Sequence, residues 1–426
     1  MMNNDRTTAC VVGGGPAGMV LGLLLARAGV EVTVLEKHAD FLRDFRGDTV
    51  HPSTLELLDE LGLGARFDAM PHRRVDSITA MLDGGAVQIG NFSLLRHPRP
   101  YIALAPQWDF LDLLATAGAE EPTFTLVRNA EVTGLLTEDG RVTGVRWRDR
   151  TTGAEHTLQA TLTIGCDGRS STVRAASGLR SRAFGVPLDV EWFRLPRLEG
   201  DTAGGVGRFT RGHFAVMIDR GDYWQCGYLI RKGGDAELRA KGIDTLRTRM
   251  SRLIPWTTDR VGALRSWDDV SLLDVRLDRL RRWSKPGLLL IGDAAHAMSP
   301  VGGVGINLAV ADAVAAARIV GPALRSGPAS PARLAAVQAR RWLPAAVIQA
   351  VQRGLHRVIL GAALDVVDPD APIPAATELP RVVRFVRRHP KLQLVPARLF
   401  GLGLLPEHAP EWARRPQASV AEPAAV

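Results

Sequence analysis

The chain has 426 residues, of which 46% are hydrophobic and 23% are charged, and its formal net charge at pH 7 is +8. This composition is that of an ordinary globular protein, and a prior of roughly 150 residues per domain predicts two or three domains. The three cysteines, Cys10, Cys166 and Cys226, are far apart and outside any Cys-x-x-Cys pair. Their spacing argues against a disulfide framework, a metal site and dithiol chemistry, so any redox chemistry requires a bound cofactor.

Charge and hydropathy argue against a nucleic-acid-binding, a secreted or a membrane-spanning protein. The basic excess is mostly arginine and comes without a nucleic-acid-binding motif, so we predict no nucleic-acid partner. The polar N-terminus enters the first predicted strand within about ten residues, which predicts no signal peptide and a cytoplasmic protein. The most apolar predicted helix, 306–323, contains Asn307, Asp312 and Arg318. We therefore expect it to be buried in the protein rather than to span a membrane.

The first elements predict nucleotide binding. A short apolar strand, 8–12, leads into Gly13-Gly14-Gly15-Pro16-Ala17-Gly18, a helix over 19–28 and a second strand, 31–35, that ends at Glu36. Gly13 permits a tight turn, Gly15 lets a pyrophosphate approach the backbone, and Gly18 lets the helix pack on the strand. The helix N-terminus attracts phosphate, and Glu36 can accept hydrogen bonds from a ribose. The spacing alone does not separate FAD from NAD.

The remaining elements predict the domain organisation. A loop over 37–48 precedes a helix at 51–61, a hairpin at 76–92, a helix over 107–117 and several strands over 123–165. Residues 179–282 contain strand patterns at 190–195, 213–219, 223–230 and 270–276, with one helix over 236–252. We predict an α/β protein with a Rossmann-like domain in two parts, 1–178 and 283–345, and an inserted β-sheet substrate domain at 179–282. A helical C-terminal region and tail, 346–426, follows, with a disordered end at 419–426.

Two further acidic turns follow apolar strands, at Asp167-Gly168 and Gly292-Asp293. In a doubly wound sheet the carboxyl ends of the strands line the ligand crevice. Three glycine-rich or acidic strand ends can therefore converge on one long ligand.

These motifs resemble those of the single-component FAD-dependent aromatic hydroxylases, the para-hydroxybenzoate hydroxylase family. The resemblance is carried by Gly13-x-Gly15-x-x-Gly18, by Asp167-Gly168-x-x-Ser171-x-Val173-Arg174, and by Gly292-Asp293 followed by Pro300 and the segment 302–307. It extends from about residue 8 to residue 345. It implies bound FAD, with NAD(P)H as co-substrate.

The resemblance also implies which residues bind the FAD. Glu36 is expected to bind the adenosine ribose, and Arg46 to reach the pyrophosphate. Gln107 is expected near the ribityl chain and pyrophosphate, and the backbone amide of Val132 at the adenine. Asp293 is expected to bind the ribityl hydroxyls and the pyrophosphate region. The loop over 302–307 opens a helix whose dipole faces the flavin pyrimidine edge. The full predicted set is Gly13, Gly15, Pro16, Ala17, Gly18, Glu36, Lys37, Arg46, Gln107, Val132, Asp167, Asp293, Pro300, Gly303, Gly305, Ile306 and Asn307.

Other residues are less sharply assigned. Arg174 pairs with Asp167 or with a phosphate, and His296 is expected to be structural rather than an acid or base. Arg43 and Arg169 are candidates for the nicotinamide preference, because no second Gly-x-Gly-x-x-Gly exists. For catalysis, His213 and Tyr223 are the candidates for positioning or deprotonating a phenol.

The predicted function is monooxygenation. NAD(P)H reduces the flavin, and one oxygen atom of O₂ enters an aromatic or polyketide-like small molecule by hydroxylation or epoxidation. Two alternatives stay open at the level of sequence. One is a flavin-dependent reductase or oxidase of the same fold, and the other is a flavoprotein that sequesters a ligand without turnover.

Overall fold

The computed structural model describes residues 5–42, 49–201, 205–210, 212–357 and 381–417. The strands are β1 Arg6–Val12, β2 Val32–Leu35, β3 Thr49–Val50, β4 Arg73–Val75, β5 Ser77–Leu82, β6 Gly85–Asn91, β7 Ile102–Leu104, β8 Phe124–Val127, β9 Ala130–Glu138, β10 Arg141–Asp149, β11 Glu155–Gly165, β12 Ser181–Ala183, β13 Leu188–Pro196, β14 Gly205–Thr210, β15 His213–Asp219, β16 Tyr223–Arg231, β17 Ser271–Leu273, β18 Asp278–Leu280, β19 Ser284–Lys285 and β20 Leu288–Leu290.

The α-helices alternate with these strands in the first part of the chain and dominate its last part. They are α1 Pro16–Arg27, α2 Pro52–Glu60, α3 Gly64–Asp68, α4 Gln107–Ala119, α5 Thr172–Ser177, α6 Asp235–Ala240, α7 Ile243–Leu253, α8 Gly305–Leu324, α9 Pro331–Leu355, α10 Arg381–Arg388 and α11 Leu394–Gly401.

A mainly parallel sheet brings the predicted motifs together. Its order is β19-β20-β11-β1-β2-β8, and β9 and β10 extend it from β11. In register, Val12 lies beside Gly165 and Leu35, and Gly165 lies beside Leu290. These residues are the carboxyl ends of four parallel strands. The glycine turn, Glu36, Asp167 and Asp293 therefore emerge at one edge of the sheet, as the sequence predicts.

Helices α1 and α8 pack on each other beside this sheet and share its hydrophobic core. Within the described part of the chain, α8 alone has the length and hydropathy to cross a membrane, but 67% of that apolar window is buried inside the protein. Its Asp312 is fully buried and forms an ion pair with Arg341. This is the packing of a core helix.

A second sheet has the order β17-β13-β16-β15-β14-β5-β6. Helix α7 covers one face, where Met217 and Cys226 pack with Leu246 and Met250. The hairpin β5–β6 belongs to this sheet although it comes from residues 77–91, ahead of the predicted insertion. The α/β fold class is thus confirmed, while the predicted domain boundaries stay predictions.

Several short elements, among them α3, β12 and β18, were not predicted, and two further differences have a clear physical reason. The single helix predicted over 236–252 is two helices, α6 and α7, because Gly242 between them has φ +84°. Only glycine adopts that backbone conformation readily, so the chain turns there. Strand β14 was not predicted, since Gly205 and Gly207 lack the β-branched side chains typical of strands.

The C-terminal region contributes α10 and α11, in keeping with a helical segment. Ala397 of α11 packs into a cluster with Phe92 and Leu104 beside the second sheet. The end predicted to be disordered, 419–426, lies outside the described residues.

Candidate active site

The turn between β1 and α1 has no space for side chains at two glycines. Gly13 has φ +102°, and a Cβ there would lie 2.6 Å from the carbonyl oxygen of Cys166. A Cβ on Gly18 would overlap the carbonyl oxygen of Gly13. The tight turn and the close helix packing are therefore as the sequence predicts. At Gly15, in contrast, a Cβ would meet no atom within 4 Å, so this face of the turn is open.

The N-terminus of α1 is arranged to receive an anion. Its N-cap residue, Gly15, makes no side-chain capping hydrogen bond, and Pro16 and Ala17 begin the helix. The N–H groups of the first turn and the positive end of the helix dipole therefore face the open side of the turn. This is a suitable environment for a pyrophosphate.

Glu36 is buried behind the glycine turn, with only 1% of its surface exposed. One carboxylate oxygen accepts a 2.7 Å hydrogen bond from the Gly14 N–H, and the other accepts a 3.0 Å bond from the His38 N–H. The motif spacing does not predict this role in holding the turn. An ionised carboxylate has about four acceptor positions, so capacity for a ribose hydroxyl remains.

Asp167 organises the second motif. Its carboxylate accepts hydrogen bonds from the Ser171 hydroxyl at 2.5 Å and the Val173 N–H at 3.0 Å. Burial raises the pKa of Asp167 in spite of these bonds. Arg174 does not pair with Asp167: its guanidinium lies 3.5 Å from the Asp278 carboxylate and donates to the Ala294 carbonyl at 3.2 Å. Of the two predicted partners of Arg174, Asp167 is therefore wrong, because its carboxylate is occupied within its own loop, and the phosphate stays a prediction.

Asp293 stands at the end of β20, close to the start of α1. A Cβ on the preceding Gly292 would lie 3.2 Å from the Ala17 Cβ, so the two motifs are in contact. The Asp293 side chain is 29% exposed, and one of its oxygens lies 3.6 Å from the Arg169 guanidinium. The same guanidinium has a buried nitrogen, Nη1, without a hydrogen-bond partner.

The loop before α8 presents a second open helix N-terminus. Gly303 has φ +64°, and the helix has no side-chain cap. A Cβ on Gly305 would meet no atom within 4 Å, and Ile306 beside it is buried. Asn307 accepts a 2.7 Å hydrogen bond from the Thr54 hydroxyl, while its buried Nδ2 donor has no partner.

The loop is held by β3, by the N-cap residue of α2 and by α11. The Thr49 hydroxyl donates to the Gly303 carbonyl at 3.0 Å, and His51 Nδ1 lies 2.8 Å from the Phe400 carbonyl oxygen. Burial lowers the pKa of His51 to about 4, so this imidazole is neutral at physiological pH. A neutral ring next to a carbonyl oxygen carries its proton on Nδ1. The sequence analysis did not single out His51.

The other predicted cofactor residues occupy varied positions. Gln107 is the first residue of α4, and Pro300 precedes the α8 loop. Val132 lies on β9, two residues after Ala130, whose N–H donates to the Glu36 carbonyl. Lys37 is exposed, and Arg46, like Arg43, lies outside the described residues.

His296 is structural, as the sequence analysis favoured. It is 1% exposed, and its Nε2 lies 2.5 Å from the Asp312 carboxylate. Asp312 also accepts from the Gly292 N–H at 3.0 Å and pairs with Arg341 at 3.0 Å. Burial acts to raise the pKa of Asp312, but His296 and Arg341 outweigh it and lower that pKa. Asp312 thus fixes the turn that carries Asp293.

The two predicted catalytic residues are not brought together. His213 begins β15, on the α7-covered face of the second sheet, with its Nδ1 2.6 Å from the Tyr228 hydroxyl. Tyr223 begins the antiparallel neighbour β16, near the far end of β15, about 20 Å away at roughly 3.3 Å per residue. The catalytic roles stay predictions, and for His213 the geometry argues against one.

The opposite face of the second sheet is turned towards the α8 loop. Ile218 on this face packs against the cluster that contains Leu104. Leu104 pairs in register with Thr49, whose hydroxyl donates to the Gly303 carbonyl of the loop. The same face carries Trp192, whose buried Nε1 has no hydrogen-bond partner. A Cβ on Gly227 would lie 3.1 Å from the Trp192 ring. Sequence reasoning missed Trp192, although it alternates with the buried residues of β13.

The observed groups fit a dinucleotide. Two uncapped helix N-termini, three acidic strand ends and a buried amide donor at Asn307 converge around open backbone at Gly15 and Gly305. Within the described ranges, no group of His, Cys, Asp and Glu side chains is placed to hold a metal ion.

Comparisons with known proteins agree with this geometry. A family model for the FAD binding domain matches residues 6–353. A 6-methylpretetramide 4-monooxygenase from Streptomyces rimosus is 36% identical over 342 residues, which are 79% of this chain and 80% of that relative. A 12-dehydrotetracycline 5-monooxygenase/anhydrotetracycline 6-monooxygenase from Streptomyces rimosus subsp. rimosus is 30% identical over 72% of this chain and 61% of that relative. The fold is shared with P. aeruginosa PqsL in complex with 2-aminobenzoylacetate, at a TM-score of 0.72 and 22% identity, over 84% of this chain and 97% of that one.

Proposed function

Since the chain belongs to the FAD binding domain family and is an FAD-dependent monooxygenase, we propose that it uses NAD(P)H and O₂ to hydroxylate or epoxidise an aromatic or polyketide-like small molecule. The observation that carries this proposal is the meeting of three strand-end motifs and two open helix N-termini at one sheet edge. The names of the two relatives support oxygen insertion over a reductase, an oxidase or a sequestering protein.

The first group of residues binds the cofactor's adenosine and pyrophosphate. The open backbone at Gly15 and the N-terminus of α1 receive the pyrophosphate, and Glu36 accepts from the ribose. Asp293 accepts from the ribityl hydroxyls, since its side chain remains partly exposed beside the start of α1. Arg46 and Gln107 are assigned to the pyrophosphate from the family resemblance.

The second group surrounds the reacting end. When bound, FAD would supply the redox chemistry, namely hydride acceptance from NAD(P)H and activation of O₂. The positive end of the α8 dipole would face the pyrimidine edge of the flavin and stabilise negative charge on the reduced ring. The unpartnered Nδ2–H of Asn307 is a hydrogen-bond donor for the same edge. The apolar face of the second sheet excludes water, and Trp192 Nε1 donates to an oxygen of the substrate.

The partners are the small-molecule substrate, NAD(P)H and O₂. We infer a cytoplasmic location, because NAD(P)H is available there and because Cys10, Cys166 and Cys226 are all free and buried.

The test is substrate-dependent consumption of NAD(P)H by the FAD-loaded protein. A panel of phenols and polycyclic aromatic polyketides is screened for faster NAD(P)H oxidation and for products heavier by one oxygen atom. At least one compound is expected to give both. Reduction of a double bond, or tight binding without NAD(P)H consumption across the panel, contradicts the proposal.

A further inference from the structure

Three arginines surround one aromatic ring beside the two-stranded sheet of β12 and β18. The guanidinium carbons of Arg182, Arg279 and Arg353 lie 5.4, 5.4 and 5.2 Å from the centre of the Phe184 ring. They come from three separate elements, β12, β18 and α9. We call these three side chains and Phe184 the arginine cluster.

The cluster lacks a neutralising acid among the described residues. Arg279 donates to the neutral Gln349 side chain at 3.1 Å and stacks on Trp342 at 4.6 Å. The nearest acid along β18, Asp278, lies 3.5 Å from Arg174 instead. Burial, and then the charge of Arg182, lower the pKa of Arg279. Like charges held this close repel each other, so a bound anion would stabilise the arrangement.

A cavity opens beside the cluster. Its volume is about 390 Å³, and Phe184, Pro187, Arg353, His356 and Arg357 contribute to its lining. This size lies within the usual range for small-molecule sites, which begins at about 300 Å³. Arg353 and Arg357 both lie in the wall of the cavity, and Arg279 and Arg182 reach the Phe184 ring that also lines it. The arginine fork matches the oxygens of a phosphate and can bind two of them at once.

The cavity adjoins the proposed flavin loop. His356 Nε2 lies 2.9 Å from the Ser299 hydroxyl, and Ser299 directly precedes Pro300. The Asp278 N–H bonds to the Ala297 carbonyl in the same segment. A dinucleotide could therefore place one end at the flavin and its charged end in the cavity. The proposed reaction needs NAD(P)H as its reductant. Since the chain has only one Gly-x-Gly-x-x-Gly turn, which is assigned to FAD, the NAD(P)H must bind at another site.

We propose that the arginine cluster binds the 2′-phosphate of NADPH and so makes NADPH the preferred reductant, a proposal that rests on the proposed monooxygenase function. The ligand class is a nucleotide bearing a ribose phosphate dianion. Arg353 lines the cavity and is the central contact, and Arg279 and Arg182 lie around the same Phe184 ring.

The test measures dissociation constants on FAD-loaded protein, with 2′,5′-ADP and 5′-AMP as probes. The parent protein should bind 2′,5′-ADP more tightly. Arg279→Ala and Arg353→Ala should each weaken 2′,5′-ADP binding roughly tenfold or more and leave 5′-AMP binding unchanged. Arg279→Lys should lose less, since it keeps the charge.

The matched control is Arg276→Ala. Arg276 lies three positions before Arg279, is similarly cationic, and pairs with Asp274 at 2.8 Å outside the cluster. It should not change either constant. Equal binding of both probes by the parent, or equal losses in Arg276→Ala and Arg279→Ala, would overturn the proposal. Using both Arg279→Ala and Arg353→Ala guards against one variant failing to fold.

Reduction of the bound flavin separates this proposal from the function it rests on. If NADPH and NADH reduce the flavin equally well, the 2′-phosphate site is wrong and the monooxygenase function stands. If neither reduces it in the presence of any substrate, the proposed function itself fails.

Discussion

Glu36 has two roles, binding a ribose and holding the glycine turn, and the spacing of the motif predicts only the first. The motif predicts an acid at this position for a ribose, and the structure shows the same carboxylate holding the Gly14 N–H and the His38 N–H. The side chain thus shapes the turn before any ligand arrives. A substitution there acts on both the loop and the ligand.

Glu36→Ala should weaken FAD binding. Removing an acceptor of charge-assisted hydrogen bonds costs roughly 1.5–3 kcal/mol per bond, or about ten- to a hundredfold in affinity. The NADPH-to-NADH preference at saturating FAD should stay nearly unchanged, because the flavin occupies this turn. Dissociation constants for FAD and steady-state kinetics with both reductants provide the check. A switched preference would mean that the nicotinamide cofactor uses this turn.

Asp293→Asn should also lose FAD affinity, by about tenfold or more, because the amide offers only one acceptor oxygen and no charge. Fluorescence titration of the apoprotein with FAD measures the change. Asp244→Asn is the control, since Asp244 is 84% exposed in a surface ion pair on α7. Unchanged affinity in Asp293→Asn would remove Asp293 from the proposed cofactor site.

At the residue scale, sequence prediction succeeded where a backbone conformation is required and failed where partners are distant. Gly13 and Gly18 follow from local sterics alone. The sequence predicts Asp167 or a phosphate as the partner of Arg174, but Arg174 contacts Asp278, more than a hundred positions after it. His213 fell on the α7-covered face because strand alternation does not say which face a helix covers.

Among the elements, β13 carries a buried acid next to α6. Glu191 is fully buried, and burial together with the Asp235 carboxyl raises its pKa from 4.5 to about 8. In the unfolded chain this group ionises near its ordinary pKa. The folded state therefore binds more protons between about pH 4.5 and pH 8, and the free energy of unfolding falls as pH rises through that window.

Glu191→Gln should remove this pH dependence. Relative to the parent, the free energy of unfolding of the variant should rise between pH 5 and pH 9 by roughly 1–3 kcal/mol. Urea unfolding at several pH values measures it. Glu237→Gln on α6 is the control, because the Glu237 side chain is 78% exposed. Parallel pH profiles for Glu191→Gln and the parent would show that Glu191 ionises normally in the fold.

The elements themselves were predictable where their patterns are local. The α1 and α8 helices, the β5–β6 hairpin and the strands that end at Leu35, Gly165 and Leu290 were predicted from hydropathy and glycine placement. The break at Gly242 was missed because the surrounding pattern suits one helix. The pairing of β5 with β14 could not be predicted, since it joins residues more than a hundred positions apart.

For the whole molecule, the predicted family, fold class and cofactor are confirmed by the family match over residues 6–353. The C-terminal part beyond that match still matters to the site, because the Phe400 carbonyl bonds to His51 behind the Gly303 loop. The sequence analysis had no motif for this contact. The identity of the substrate could not be predicted either, because the recognised motifs form the cofactor site and none of them lies in the second sheet.

Oxygen labelling of the product tests monooxygenation by this protein directly. The FAD-loaded protein is supplied with NADPH, an accepted aromatic or polyketide-like substrate and ¹⁸O₂ in unlabelled water. We predict one ¹⁸O atom in each product molecule. Product that carries oxygen from water alone, or product formed equally well without O₂, would contradict the monooxygenase account.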